Sequence, residues 1–151
     1  MTRTFEPRDP DYHARVHHAF GRQRFMDLLG ARLVSVAPGT VEIELPVRPE
    51  LEQQHGYAHA GAAWSIADSA AGFASQSLMA ADEGVLTVEL KINLLAPARG
   101  ERLLARGRVE RAGRRLTVAR ADVFAVGGVA ETHIAMALGT FMAIRGLADR
   151  K

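Results

Sequence analysis

A long alanine-rich segment constrains the fold of this chain more than any other feature. Residues 61–81 contain no proline and have no sustained polar face. Because a helix that is apolar nearly all round has to be enclosed by other structure, we predict a buried central helix of about 30 Å here. A membrane span has that length, but Asp68, Gln76 and several serines make lipid a poor solvent for it.

Alternating apolar and polar residues predict β-strands on both sides of this helix. Before it, a Pro38-Gly39 turn separates residues 31–37 from residues 40–47, which is typical of a hairpin. In residues 86–94, apolar residues at even positions alternate with polar residues at odd positions. The pattern after the helix predicts four strands in antiparallel succession, at residues 86–94, 102–111, 116–126 and 130–144.

Together these elements predict an α+β fold in which an antiparallel sheet wraps around one long central helix. Residues 1–24 are polar, and we expect them to form an N-terminal arm or short helix that packs through Phe20, Phe25 and Leu28. Residues 25–151 are expected to form a single domain. Open sheet edges invite pairing with another copy, so we expect a homodimer or a dimer of dimers.

The composition excludes several classes of chemistry. The chain of 151 residues has no cysteine, which removes disulfides, thiolate nucleophiles, iron–sulfur clusters and cysteine-ligated zinc. Its 19 Lys and Arg residues nearly balance its 17 Asp and Glu residues, so nucleic-acid binding is not favoured. The first residues do not resemble a secretory signal, and we expect a cytoplasmic protein. The crowd of arginines between positions 99 and 120 is interpreted as a solvated strand face.

Asp68 is the strongest candidate for a reactive side chain. The sequence has no Gly-x-Ser-x-Gly, P-loop or Gly-x-Gly-x-x-Gly motif, so no motif indicates a serine hydrolase or an enzyme with a nucleotide cofactor. Asp68 lies about two turns into the helix, and the positions three and four residues away carry no cation. Such a carboxylate either finds a distant partner or is kept reactive in a cleft, and the residues alone leave both possibilities open.

The start of the helix offers backbone hydrogen-bond donors for a negatively charged group. Residues 59–61 (His-Ala-Gly) are small after the histidine, so the first backbone N–H groups can approach a ligand closely. Gly61 and Asp68 are two helical turns apart, so a carbonyl group bound at the helix start meets such a carboxylate only through close packing or from a neighbouring subunit. This spacing favours a site shared between two subunits. His55 and His59 are four residues apart, but Gly56 stands where the zinc-protease motif has its glutamate, and no metal site is predicted.

Several of these residues stand in the register of one known family. Its core motif, His-Gly-Gly followed by an acidic residue, is seen here as His59-Ala60-Gly61 with Asp68 nine positions after the histidine. Supporting features are Met26-Asp-Leu-Leu-Gly30, the Pro38-Gly39 turn, the strand at 87–93 and the Pro97-Ala-Arg-Gly100 turn. Over residues 25–144 the chain thereby resembles the hotdog-fold acyl-CoA thioesterases, specifically the phenylacetate-degradation-type branch.

The resemblance implies hydrolysis of an acyl-CoA thioester in a hotdog fold, without a metal or redox cofactor. It implies that Asp68 attacks the thioester carbonyl or activates water, acting across a dimer interface. The backbone N–H of Ala60, with Gly61 behind it, is implied to polarise the carbonyl. The family's histidine, side-chain amide and assisting hydroxyl fall on His59, Gln53 and Thr87.

Other residues are expected to contact the substrate without taking part in the chemistry. Trp64 is a candidate wall of the pocket, and the acyl preference depends on walls from two subunits, which leaves chain length and aromatic character open. The phosphates of coenzyme A need cationic donors, and the residues expected to supply them flank the Ala112-Gly113 turn: Arg111, Arg114 and Arg115. Arg99 is the rival candidate.

Two further functions on the same fold stay open. Ala60 occupies the position of the family's glycine, and this favours a non-catalytic acyl-CoA binding module as the alternative. A dehydratase or hydratase of this fold needs a His/Asp pair acting at C2 and C3 of the acyl chain, whereas Asp68 stands in the thioesterase register.

Overall fold

The computed structural model describes residues 4–147. In this range the chain forms three α-helices, one 3-10 turn (Pro49–Leu51) and six strands, so the predicted order of strands and long helix is confirmed. The elements are α1 (Tyr12–Gly21), α2 (Arg24–Leu29), β1 (Arg32–Ala37), β2 (Thr40–Pro46), α3 (Ala60–Gln76), β3 (Glu83–Leu94), β4 (Arg102–Ala112), β5 (Leu116–Gly127) and β6 (Ala130–Arg145).

The six strands form one antiparallel sheet in the order β1-β2-β4-β5-β6-β3. Helix α3 packs against strands β2 to β6, which confirms the predicted α+β hotdog architecture of a sheet wrapped around one central helix. The prediction that the last four strands follow one another in antiparallel succession is wrong at β3, which pairs with β6 and not with β4. Between β2 and β3 the chain runs through α3, which is about 25 Å long, and it re-enters the sheet at the edge next to β6.

The helix is shorter than the sequence suggested, because α3 ends at Gln76 and not at residue 81. Beyond this point the Leu78 and Met79 N–H groups donate three residues back, to the Ser75 and Gln76 carbonyls, which tightens the last turn. The Arg15 side chain of α1 also donates to the Gln76 and Met79 carbonyls, where the chain leaves the helix. Small residues let the helix lie close to the sheet. A Cβ atom on Gly107 of β4 would lie 2.3 Å from the Ala70 backbone of α3, so only glycine fits at this crossing.

A β-bulge interrupts the regular alternation of β3. Thr87 and Glu89 pair with the consecutive residues Phe141 and Thr140, so that Val88 is the extra residue. The prediction that the even-numbered residues share one face therefore fails across the bulge. Leu86 is 51% exposed, whereas the Thr87 hydroxyl reaches α3. The bulge thus turns a polar side chain towards the helix.

The N-terminal arm is anchored through different residues from those predicted. Val16 of α1 is fully buried, and the Phe20 ring packs edge-on against Phe73 of α3 with centroids 5.8 Å apart. The predicted packing of Phe25 and Leu28 is wrong, since they are 56% and 70% exposed. Their neighbours Met26 and Leu29 take the buried face of α2 instead. The domain boundary predicted after residue 24 falls within α2 and stays a prediction.

The outer face of the sheet carries arginines in ion pairs. Arg106 of β4 pairs with Glu42 on the neighbouring strand β2 and with Glu131 on β6, and Arg120 pairs with Asp122. These contacts agree with the interpretation of the arginine-rich strands as a solvated face. Within residues 4–147, no helix combines the length and the apolar character needed to cross a membrane.

Candidate active site

Helix α3 begins in a cap made by the preceding histidine. The backbone of His59 is extended (φ −63°, ψ 141°), and its Nδ1 accepts a hydrogen bond of 2.9 Å from the Gly61 N–H. A Cβ on Gly61 would lie 3.0 Å from this nitrogen, so the close approach of the cap favours glycine. Within the described part of the chain, the Ala60 N–H has no hydrogen-bond partner. It stays available at the positive end of the helix.

A cavity of about 650 Å³ opens beside this helix start. Gln53 lines it and is held in a turn, because its N–H donates to the Tyr57 carbonyl at 2.8 Å and its side-chain oxygen accepts from the His55 N–H. The structure therefore brings together three predicted site residues, Gln53, His59 and Ala60. The apolar wall of the cavity comes from residues outside this loop, among them Ala63, Leu94, Leu95 and Ile134.

Asp68 lies further along α3, where its carboxylate is half-buried. The Thr87 hydroxyl donates a hydrogen bond of 2.8 Å to Asp68 Oδ1, so these two predicted residues also meet. Burial raises the pKa of the Asp68 carboxyl, and the Thr87 hydrogen bond opposes this shift more weakly. No cation within residues 4–147 pairs with it. Of the two possibilities left open by the sequence, the structure supports the carboxylate in a cleft.

A small cavity of about 200 Å³ adjoins this carboxylate. Its walls come from three elements: Gly72 and Phe73 of α3, Val85 of β3, and Gln23 just before α2. Gln23 Oε1 accepts a hydrogen bond of 3.3 Å from the Ser69 hydroxyl. The sequence reasoning missed Gln23, because nothing in the polar arm indicated that it reaches the central helix.

The predicted site falls into two halves that lie apart within one chain: the helix start with Ala60 at the larger cavity, and Asp68 with Thr87 at the smaller one. Ala60 and Asp68 are eight residues apart on α3, which corresponds to about 12 Å along the helix axis. The two cavities have no described lining residue in common. The helix is also not enclosed on all sides as predicted, because one stripe stays accessible. The stripe consists of Gly61, Trp64, Ser65 and Asp68, and Trp64 is 39% exposed.

The predicted phosphate-binding arginines lie at the other end of the helix. Arg114 lines a cavity of about 290 Å³ together with Ser75 and Met79, and Arg111 and Arg115 flank the same turn. Ser75 lies 15 residues after the helix start, about 22 Å along the axis. Within one chain these arginines are therefore remote from the helix start, because the β4–β5 turn is at the opposite end of the sheet.

The rival candidate Arg99 lies close to the larger cavity. Its guanidinium group stacks over the ring of Tyr57, a cavity-lining residue, with 5.1 Å between the guanidinium carbon and the ring centroid. The sequence signal for this contact is weak, because Tyr57 and Arg99 are 42 residues apart in the chain. Only the fold brings the two loops together.

Comparisons with known proteins agree with this fold. Residues 55–131 match the family described as the thioesterase superfamily. A thioesterase family protein from Silicibacter pomeroyi has a solved structure with a TM-score of 0.88 and 45% sequence identity, covering 89% of this chain and 99% of that chain. A conserved protein from Pseudomonas aeruginosa is 32% identical, with a TM-score of 0.71 and coverage of 80% of this chain and 93% of that chain.

A more distant structure shares the fold alone. The PaaI protein of E. coli, from the phenylacetic acid degradation operon, has a TM-score of 0.77 at 20% identity, covering 89% of this chain and 95% of that chain. The segment that matches the family includes the helix start, Asp68 and Thr87, whereas Gln53 lies two residues before it.

Proposed function

We propose, from the premise that the chain belongs to the thioesterase superfamily, that it hydrolyses acyl-CoA thioesters to a free acid and coenzyme A. Thioester hydrolysis follows from the family, whereas the coenzyme A carrier and the roles of single residues are our proposal. One observation carries it: Asp68, a half-buried carboxylate that pairs with no cation among the described residues, lies on the helix whose first residue, Ala60, lines an open cavity and has an available N–H.

The two halves of the site supply complementary parts of an acyl transfer. The ionised Asp68 either attacks the thioester carbon or removes a proton from the water that attacks it. As negative charge develops on the carbonyl oxygen, the Ala60 N–H at the helix start donates a hydrogen bond to it. The C–S bond breaks, the thiolate takes up a proton, and one water is consumed to give the acid and the thiol.

We infer that a complete site is shared between two copies of the chain. Ala60 and Asp68 of one chain are too far apart to act on the same carbonyl. Strand β3 presents an unpaired edge of 12 residues, on which Leu86, Val88 and Leu94 are more than half exposed. Pairing of two such edges would cover these residues and bring a second helix towards the open stripe of α3, which supports a homodimer.

The substitution Ala60→Pro tests the proposed oxyanion donor. Proline is well tolerated at the first position of a helix, and the extended His59 (ψ 141°) suits a residue before proline. The variant therefore loses one N–H with little change in structure. We expect kcat to fall by about 10²- to 10³-fold. The release of free thiol from a panel of acyl-CoA esters measures this loss, and the melting temperature reports on folding.

The matched control is Ala60→Gly, which keeps the N–H and restores the residue that is usual in the family. We expect this variant to retain the wild-type kcat or exceed it. Unchanged thiol release from a folded Ala60→Pro variant would refute the role of this N–H. If the wild-type chain binds acyl-CoA esters without releasing thiol from any of them, it is a binding module and the proposed activity is wrong.

The hydrogen bond from Thr87 to Asp68 predicts a shift in the pH dependence of hydrolysis. The donor favours the ionised carboxylate, so Thr87→Val should raise the pKa of Asp68 further. Because activity requires the ionised form, the acidic limb of the kcat/KM profile should move to higher pH, with the largest loss at low pH. Thr132→Val, at an exposed position on β6, is the control. An unmoved acidic limb in Thr87→Val would contradict the prediction.

A further inference from the structure

Arg99 and Tyr57 form a stacked pair at the rim of the larger cavity. Besides the stacking, Arg99 Nη2 donates a long hydrogen bond of 3.4 Å to the Tyr57 hydroxyl. Tyr57 lines the cavity, as do Pro97 and Ala98, the two residues before Arg99. Both members of the pair are thus attached to the cavity wall.

The backbone fixes the two loops relative to each other. The Ala58 N–H donates a hydrogen bond of 3.0 Å to the Ala98 carbonyl, which joins the residues next to Tyr57 and Arg99. Tyr57 precedes Ala60 by three residues, so their Cα atoms are at most about 11 Å apart. A ligand with its carbonyl at the Ala60 N–H can therefore reach this pair, since Tyr57 and Ala60 line the same cavity.

Among the residues that the structure describes, no carboxylate compensates the positive charge of Arg99. Outer-face arginines such as Arg106 and Arg108 form ion pairs, but Arg99 forms none within residues 4–147. None of the described residues that line the cavity is an aspartate or glutamate. A guanidinium held over an aromatic ring is pre-organised, and most of its five N–H donors stay available. Phosphate groups match that planar set of donors.

We propose that Arg99, positioned by Tyr57, binds a phosphate group of the nucleotide end of coenzyme A. The site then recognises the carrier independently of the acyl group. This inference rests on the proposed function, because the pantetheine arm has to join a thioester at the helix start to phosphates at the rim. It also chooses Arg99 over the arginines of the β4–β5 turn of the same chain.

The test compares one acyl group on two carriers, coenzyme A and pantetheine, which lacks the nucleotide. For Arg99→Gln we expect KM for the acyl-CoA to rise about tenfold, equivalent to about 1.4 kcal/mol, with kcat nearly unchanged. KM for the acyl-pantetheine should stay at the wild-type value. The difference in KM for the acyl-CoA between the wild type and Arg99→Gln should shrink at high ionic strength, because salt screens a charged contact at the rim of the cavity.

Two further variants test whether the carrier preference is specific to Arg99. Arg108→Gln removes an arginine from the outer face and should leave both KM values unchanged, whereas Tyr57→Phe keeps the ring and should retain most of the carrier preference. If Arg99→Gln changes KM equally for both carriers, or if Arg114→Gln alone abolishes the preference, the proposal is wrong.

Binding of free coenzyme A by calorimetry distinguishes this inference from the proposed activity. We expect Arg99→Gln to bind coenzyme A about tenfold more weakly than the wild type and to bind pantetheine equally. A wild-type chain that binds coenzyme A in this manner but hydrolyses no thioester would retain the phosphate site and refute the activity. A hydrolase whose affinity for coenzyme A does not depend on Arg99 would refute the phosphate site alone.

Discussion

Asp68→Asn is expected to lower kcat for acyl-CoA hydrolysis by a factor of about 10² to 10⁴, the range for removal of a general base. Asparagine keeps the size of the side chain and can still accept the hydrogen bond from Thr87. The loss is therefore expected to come from the missing carboxylate and not from repacking. Thiol release at saturating substrate measures kcat. Equal rates for the wild type and the variant would refute the proposed catalytic role of Asp68.

The same substitution should stabilise the fold while it removes activity. The pKa of Asp68 is raised in the folded chain, so the folded state binds the proton more tightly than the unfolded state. The ionised carboxylate consequently costs stability at neutral pH, and the cost disappears once the pH falls below the ordinary pKa of an aspartate. We expect a higher melting temperature for Asp68→Asn than for the wild type at pH 7 and a vanishing difference in acid.

Mixing two inactive variants tests whether the site is shared between copies. A mixed dimer of Asp68→Asn and Ala60→Pro chains would contain one site with both native residues and one site with neither. Random exchange of chains should therefore restore about a quarter of the wild-type activity, given two sites per dimer. No recovery after verified exchange would place both residues of a site in one chain, or in an assembly of another kind.

Site residues that stand out from their neighbours in the sequence could be predicted, whereas contacts made only through the fold of the sheet could not. Asp68 is recognisable as a carboxylate in an apolar helix, and the helix start as a run of small residues after a histidine. The alternation of β3 gave no sign of the bulge at Val88, although this bulge lets Thr87 reach the carboxylate. Gln23 reaches Ser69 across 46 residues of sequence, a distance that local patterns do not bridge.

The same distinction holds for the fold. Periodicity predicts which segments are strands, but it carries no information on which strand is the neighbour of which. The order of the sheet follows from the helix, which carries the chain from β2 to the edge beyond β6. That placement leaves β3 as an edge strand, and the proposal of a shared site depends on this edge. The end of α3 was also beyond local prediction, because Arg15 of α1 binds the carbonyl of its last residue, Gln76, and that of Met79 from outside the helix.

Arg15→Met is expected to destabilise the fold by about 3–5 kcal/mol, the usual cost of removing one partner of a buried ion pair. The Arg15 Nε atom lies 2.8 Å from Asp9 Oδ2, and the Asp9 side chain is only 6% exposed. Methionine has a similar length but cannot pair with Asp9 or cap α3. The guanidinium donates to four backbone carbonyl oxygens between the last residue of α3 and the first residue of β3, those of Gln76, Met79, Ala80 and Glu83.

A loss of this size should lower the melting temperature by on the order of 10 °C for a chain of this length. Arg22→Met is the matched control, since Arg22 is exposed and has no ion pair within residues 4–147. Adding Asp9→Asn to Arg15→Met should recover part of the stability, because the unpaired buried charge is then removed. A drop no larger than that of Arg22→Met, or strictly additive effects in the double variant, would show that this ion pair does not secure the end of the helix.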